Sequence, residues 1–335
     1  MRAAVIGAGG WGTTLAHLLA ERGHDVVLWA RSEERALELE RDRCNKIYLP
    51  LLEIHPSLRV THDASQLDDR HLFIFAVPAQ ATRTVVEYLK PSLSRAVGDD
   101  GVFVSASKGI ERHSMARMSE VLRDGLDARE ERILALSGPS HAEEVAKGIP
   151  TAVVAAGMDH ALAKEIQSAF LLPSFRVYSS SDLIGVELAG ALKNVIAICA
   201  GIIDGLGYGD NTKAALITRG LAEMRRLGIA LGADEHTFSG LAGLGDLVVT
   251  CESRHSRNRF VGEEIGKGKK LSQVLTEMKM IAEGVATTQS AKALAERHHI
   301  EMPIVEETYR ILFEDKDPRE ATMDLMTRDP KTERW

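Results

Sequence analysis

The stretch Ala3-Ala4-Val5-Ile6-Gly7-Ala8-Gly9-Gly10-Trp11-Gly12-Thr13-Thr14-Leu15 decides the fold. Ala3 to Ile6 is a continuous apolar run, and Met1 to Gly7 reads as a short buried strand. Leu15, Leu18 and Leu19 recur on one face of a helix that opens near Gly12. Between strand and helix stand Gly7, Gly9 and Gly12, spaced G-x-G-x-x-G, with Gly10 and Trp11 in the open positions. The first glycine permits a tight turn, the second lets backbone approach a pyrophosphate, and the third lets the helix pack closely on the sheet. The helix N-terminus then offers unpaired N–H groups and a positive dipole end to an anion.

Ala3 to Ala20 contains no Asp, Glu, Lys or Arg, so by length alone it fits a signal peptide or a membrane span. Four clustered glycines at its centre would break a spanning helix, and strand, turn and helix explain the pattern better.

Outward from this unit, Asp25 to Ala30 is the next strand, and a helix follows from Ser32 with Glu33 and Glu34 in its first turn. An acid at the tip of that second strand would bond a ribose 2′-OH. Here the tip is Arg31, which suits a 2′-phosphate, so NADP(H) is admitted beside NAD(H). Further strands are expected at Leu72 to Val77, Val102 to Ala106, Ile133 to Leu136, Ala152 to Ala155 and Arg176 to Tyr178, mostly separated by helices. Alternating strands and helices, the strands apolar throughout, indicate an α/β domain with a mainly parallel sheet of the Rossmann type. After Ser179-Ser180-Ser181-Asp182 strand signals nearly vanish. The expected division is a dinucleotide-binding domain over 1–178 and an all-α domain over 179–335.

Composition agrees with two globular domains: 335 residues, 44 % hydrophobic and 27 % charged. A net charge of −7 disfavours nucleic acid as a partner, while a local basic pocket for a small anion stays open. Three widely spaced cysteines, Cys44, Cys199 and Cys251, form neither a disulfide framework nor a C-x-x-C metal motif, which fits a reducing cytosol and no metal. No other stretch reads as inserted in a membrane.

Leu188 to Ile203 has one charged residue, Lys193, in an otherwise apolar helical run. A helix that is apolar all round is buried, and lysine is almost never buried without a partner. Desolvation lowers the pKa of such a lysine and makes it usable as a general acid or base. The structural alternative is a lysine that snorkels out or pairs with Glu187 or another acid. Asn194 beside it also needs a partner. Three loops add candidates. Lys108, in Ser107-Lys108-Gly109, follows a strand and should lie at the carboxyl edge of the sheet, where open α/β folds bind ligands. Gly138 and Ser140 follow the next strand. Ser256-Arg257-Asn258-Arg259 gathers cationic and amide donors suited to a phosphate.

These residues resemble bacterial NAD(P)-dependent glycerol-3-phosphate dehydrogenases over nearly the whole chain. The likeness is carried by the glycine turn, Asn45-Lys46-Ile47-Tyr48-Leu49-Pro50, Ser107-Lys108-Gly109-Ile110, Leu136 to Ala142, and Glu187 to Asn194. It continues in Leu241-Ala242-Gly243-Leu244-Gly245-Asp246-Leu247, Ser256-Arg257-Asn258 and Glu283-Gly284-Val285. The Leu-Lys-Asn and Gly-Leu-Gly-Asp-Leu blocks are far more specific than the turn. The resemblance implies reversible hydride transfer between NADP(H) or NAD(H) and dihydroxyacetone phosphate, giving sn-glycerol 3-phosphate for phospholipid synthesis. It implies Lys193 as proton donor and acceptor, with Lys108 and Asp246 at the reacting end of the substrate. Gly138, Ser140, Asn194, Ser256, Arg257 and Asn258 would hold the rest of the substrate. Gly7, Gly9, Gly10, Trp11, Gly12, Arg31, Lys108, Ala142, Arg257, Ile281 and Glu283 would line the cofactor. It further implies a Rossmann domain followed by a helical domain, a cytoplasmic enzyme, and often a homodimer.

Two positions depart from the family pattern: Gly10, where serine or asparagine is frequent, and Leu51, where glycine usually follows the Tyr-Leu-Pro block. The rival activity is another two-domain dehydrogenase of the 3-hydroxyacid type. A dinucleotide-binding sensor is a rival of another class, and it would need no buried lysine.

Overall fold

The computed structural model describes every residue except 99, 279, 331, 334 and 335. It forms two compact units: Met1–Lys108 with Ala116–Val186, and Gly109–Met115 with the chain from Glu187 onward.

The first unit is built on β1 (Arg2–Ile6), β2 (Asp25–Trp29), a small hairpin of β3 (Cys44–Asn45) and β4 (Leu49–Glu53), β5 (Arg59–Thr61), β6 (Leu72–Phe75), β7 (Val102–Ser105), β8 (Ile133–Ser137), β9 (Thr151–Gly157) and β10 (Phe175–Ser180). Eight of these form one sheet in the order β10-β9-β8-β7-β6-β1-β2-β5. Every neighbouring pair is parallel except β8 and β9. Its helices are α1 (Gly10–Glu21), α2 (Glu33–Asp42), α3 (Thr82–Gly98), α4 (Met118–Leu126), α5 (Ala142–Val145) and α6 (His160–Ala169).

The continuous apolar strands are explained by burial on both faces. Side chains alternate along β1, so Ala3 and Val5 join Leu15, Leu19, Leu28 and Ile74 in one apolar cluster. Ala4 and Ile6 join Val27, Phe73, Phe75 and Phe103 with Val86 and Leu89 of α3 in the other. From β1 the chain builds β2 and β5 on one side and then crosses back to build β6 to β10 on the other, so the strand order reverses at β1. The turn after β1 therefore sits at the switch point, where open α/β sheets bind ligands beyond the carboxyl ends of their strands.

The strands expected from sequence are present. The hairpin and β5 are additional, and each lacks the signal that marks the others. β4 carries Pro50 and exposes Leu51, while β5 is a three-residue edge strand paired only with β2. β10 runs on through Ser180, since Ser179 and Ser180 continue the pairing with Ala155 and Ala156.

The second unit is helical: α7 (Leu183–Leu206, from Glu187), α8 (Asp210–Ala230), α9 (Asp246–Glu252), α10 (Arg257–Gly266), α11 (Leu271–Glu277), α12 (Glu283–Arg297), α13 (Pro303–Phe313) and α14 (Pro318–Met326), with short helical turns between α8 and α9. α7 is long and apolar enough to cross a bilayer, yet 94 % of its apolar window is buried inside the fold, so it is a core helix. The segment Gly109–Met115 is tied to this unit by Ser290, whose hydroxyl donates to the carbonyl of Ile110.

Candidate active site

Each unit carries its own cluster of candidate residues. In the first, Gly7 takes φ +112°, a conformation that favours glycine, and a Cβ there would lie 2.6 Å from the Ala76 carbonyl oxygen. A Cβ on Gly12 would lie 1.9 Å from the Gly7 carbonyl oxygen, so the helix comes this close to the strand only with glycine. At Gly9 a Cβ would meet nothing within 4 Å. Gly9 caps α1 without a side-chain bond, which leaves the first N–H groups of α1 available to an anion. Trp11 Nε1 is buried with no hydrogen-bond partner among the described residues. An open, donor-rich turn with an orphaned indole N–H beside it fits a dinucleotide pyrophosphate. Ala142 opens α5, and a Cβ on Gly10 would lie 3.6 Å from its own Cβ. Arg31 is exposed just beyond the end of β2 and makes no ion pair among the described residues.

Lys108 follows β7 and Gly138 follows the parallel neighbour β8, so adjacent strand ends deliver both. Lys108 Nζ donates to the Gly138 carbonyl oxygen at 2.8 Å, and Ser140 Oγ donates to the same oxygen at 2.8 Å. Gly138 holds φ +134°, and a Cβ on it would press on the Val153 backbone at 3.0 Å.

In the second unit Lys193 is 6 % exposed. Its Nζ donates to Asp246 Oδ1 at 2.9 Å and to Thr250 Oγ1 at 2.6 Å. Thr250 in turn donates to the Asp246 backbone oxygen at 2.6 Å. The acid that meets Lys193 is therefore on a different helix, one turn from Thr250. A single π-helical turn, Leu241–Gly245, delivers Asp246 to the start of α9. Burial pushes the neighbouring Cys251 thiol up to about 12 despite the nearby Lys193 charge, so it is a neutral packing group.

Asn194 and Asn258 brace each other. Asn258 Nδ2 donates to Asn194 Oδ1 at 2.8 Å, and Asn258 Oδ1 accepts from Gly284 N at 2.9 Å, next to Glu283 at the start of α12. Close helix packing brings these groups together: a Cβ on Gly201 of α7 would lie 1.9 Å from the Arg259 carbonyl oxygen, and one on Gly262 of α10 would lie 1.8 Å from that of Ile198. Ser256 Oγ accepts from Arg259 N and caps α10. The two arginines of the segment differ. Arg259 is held by Asp204 at 2.6 Å and Glu263 at 3.3 Å, whereas Arg257 is exposed and makes no ion pair among the described residues. Ile281 is also exposed. Among the described residues no group of three or more His, Cys, Asp or Glu side chains is placed to hold a metal ion.

Comparison with known proteins takes up both halves. Residues 2–163 match the model of the NAD-dependent glycerol-3-phosphate dehydrogenase N-terminus, and residues 182–323 match that of its C-terminus. The chain belongs to this family. It is 53 % identical over 332 residues, 98 % of each chain, to a glycerol-3-phosphate dehydrogenase (NAD(P)+) of Geobacter sp. strain M21. It is 52 % identical to one from Salinibacter ruber, covering 99 % of this chain and 96 % of that one. Among solved structures, the glycerol-3-phosphate dehydrogenase of Coxiella burnetii superposes with a TM-score of 0.91 at 38 % identity, covering 98 % of this chain and 99 % of that one.

Within this dehydrogenase fold, sequence reasoning passed over Thr250 and Asn45. Thr250 carries a signal in hindsight, because it stands four residues after Asp246 and so shares its helix face. Asn45 heads one of the blocks that carry the family likeness, but no local pattern marks its role, because its partners lie far off in the chain.

Proposed function

We propose that this chain interconverts dihydroxyacetone phosphate and sn-glycerol 3-phosphate with NADP(H) or NAD(H). The observation that carries the reading is the buried Lys193 ammonium held between Asp246 and Thr250. Carbonyl reduction places negative charge on an oxygen that must receive a proton, and a positioned ammonium supplies both the charge and the proton. The sheet unit is the dinucleotide domain and the helical unit the substrate domain.

In this reading the glycine turn and α1 hold the pyrophosphate, Trp11 and Ala142 flank it, and Arg31 takes a 2′-phosphate where one is present. Ile281 and Glu283 complete the cofactor contacts. Bound there, the reduced dinucleotide supplies the hydride. Arg257 binds the substrate phosphate with Ser256 and Asn258, which turns the three-carbon ketone into one fixed orientation. Gly138, Ser140 and Asn194 line the same substrate. Lys193 gives its proton to the carbonyl oxygen and takes it back in the reverse direction, while Lys108 and Asp246 hold charge around it. The family resemblance extends the reading to a cytoplasmic homodimer that feeds phospholipid synthesis.

The test follows the loss of nicotinamide absorbance from NADPH, and separately NADH, on addition of dihydroxyacetone phosphate, with unphosphorylated dihydroxyacetone as control. Phosphate-dependent oxidation is the expected result and ranks the two cofactors. Oxidation by 3-hydroxyacid-type keto substrates instead would transfer the chain to the rival activity, and no oxidation with either cofactor overturns the reading.

A further inference from the structure

We propose that Asn45 is a positioning residue that fixes the Ala8–Gly9 peptide so that the Gly9 N–H faces the dinucleotide pyrophosphate. The inference rests on the reading of the glycine turn as the dinucleotide site.

Asn45 lies in the short hairpin and is 0 % exposed. Its Nδ2 donates to the Ala8 carbonyl oxygen at 3.2 Å and to Thr13 Oγ1 at 2.8 Å, so it spans the turn from its strand side to its helix side. Its Oδ1 accepts from Arg35 Nη2. A guanidinium has only donors, so it can face only the oxygen end of an amide. That contact settles which way the carboxamide points, and both N–H bonds of Nδ2 are then used, one of them on Ala8. Arg35 is itself held by Glu38 and lies over the Tyr48 ring at 5.9 Å, and Tyr48 N donates to the Asn45 backbone oxygen at 3.1 Å. The amide is therefore oriented before any ligand arrives.

In a trans peptide the carbonyl oxygen and the following N–H point in opposite directions, and no cis peptide occurs among the described residues. With the Ala8 oxygen drawn in toward Asn45, the Gly9 N–H points to the opposite side. Ala8 stands between two glycines, Gly7 and Gly9, so a flip of the Ala8–Gly9 peptide meets little steric resistance. A flipped peptide would present carbonyl lone pairs to a phosphate instead of a donor. Asn45 is the side chain that opposes the flip.

The test measures NADPH and NADH affinity of the full chain by nicotinamide fluorescence, with KM for dinucleotide and for dihydroxyacetone phosphate, and kcat, in parallel. Asn45→Ala removes the anchor, and the dinucleotide Kd is expected to rise about tenfold. Asn45→Asp is isosteric and keeps the Arg35 contact, yet it faces the Ala8 oxygen with an acceptor. The peptide then turns its N–H inward, and the Kd is expected to rise about a hundredfold. In both variants kcat at saturating dinucleotide and KM for dihydroxyacetone phosphate stay within about twofold of wild type. A purely structural role gives the reverse order, with the isosteric, Arg35-paired variant milder than alanine. Where the Asn45 variants fail to fold, Arg35→Met on half-buried α2 lets the carboxamide turn over, with an expected rise in Kd of about fivefold. Asn45→Asp binding dinucleotide as tightly as Asn45→Ala, or Arg35→Met binding as tightly as wild type, overturns the proposal. A wild-type chain that binds neither dinucleotide overturns the underlying reading of the turn as well.

Discussion

Lys193 and Asp246 form an ion pair at 2.9 Å in which 6 % of one residue and 1 % of the other is exposed. Removing either partner alone leaves a buried charge uncompensated, which costs about 3–5 kcal/mol, whereas replacing both with apolar residues of similar size is often close to neutral. Lys193→Met and Asp246→Leu are each expected to lower unfolding stability strongly, and the double variant to recover most of that loss. Urea unfolding of the four proteins measures the coupling. Additive losses would show that the pair does not act as a unit. All three variants are expected to lose turnover by about 10²-fold or more, the usual contribution of a general acid.

Arg257 and Arg259 stand two residues apart and are expected to behave differently. Arg259 already neutralises Asp204 and Glu263, and Arg257 has no ionic partner among the described residues. Arg257→Ala is expected to raise KM for dihydroxyacetone phosphate about tenfold to a hundredfold, the worth of a charge-assisted phosphate contact. Arg259→Ala is expected to lower thermal stability with a smaller change in KM. Equal effects on KM would show that both arginines reach the phosphate.

The contrast between those arginines marks where sequence reading stops. The glycine turn, the sheet and the isolated Lys193 were legible because each is a local pattern: a fixed spacing, a continuous apolar run, one charge in an apolar helix. Family likeness placed Asp246 at the reacting end of the substrate, but its pairing with Lys193 was not legible, because it comes from fifty-three residues away across a π-helical turn. Asn258 reads as a phosphate donor by composition, and composition does not show that its carboxamide also braces the site, with one N–H on Asn194 Oδ1 and its oxygen accepting from Gly284 N. The Asn45 hairpin escaped because β3 has only two residues and Pro50 interrupts β4.

Glu223 gives the helical unit a pH dependence of its own. It is 2 % exposed, and its carboxylate accepts from Ile304 N at 2.8 Å and Val305 N at 3.2 Å, satisfying the first turn of α13. Burial pushes its pKa up to about 7 from 4.5, against those two donors and the charges of Arg226 and Arg328. Between these values the folded chain binds more protons than the unfolded one. The contribution is full below pH 4.5 and is lost as pH rises through 7. Glu223→Gln does not titrate, and its NH2 replaces one of the two accepting oxygens at the cost of one backbone bond at every pH, so its stability relative to wild type is expected to shift upward by up to about 3 kcal/mol between pH 5 and pH 8. Urea unfolding at the two pH values measures the gap. A gap that stays constant would show that Glu223 does not titrate there.

Two glycines of one turn separate space from function. A Cβ on Gly12 would lie 1.9 Å from the Gly7 backbone oxygen, and backbone cannot move aside as a side-chain tip can. Gly12→Ala is therefore expected to push α1 off β1, lower stability by about 1–3 kcal/mol and abolish dinucleotide binding. At Gly10 a Cβ would meet Tyr48 Cβ at 3.5 Å and Ala142 Cβ at 3.6 Å, which is ordinary contact. Serine, frequent at this position in the family, then fits without displacement, and its hydroxyl adds a donor at the first residue of α1. Gly10→Ser is expected to fold normally, gain about 0.5–1 kcal/mol from the lower entropy of its unfolded chain, and bind NADPH as tightly as wild type or more tightly. Thermal unfolding and NADPH titration of both variants decide the matter. A Gly10→Ser chain that binds less tightly would mean that the pyrophosphate needs the space the glycine leaves, and that this chain holds its cofactor closer to the backbone than serine-bearing relatives do.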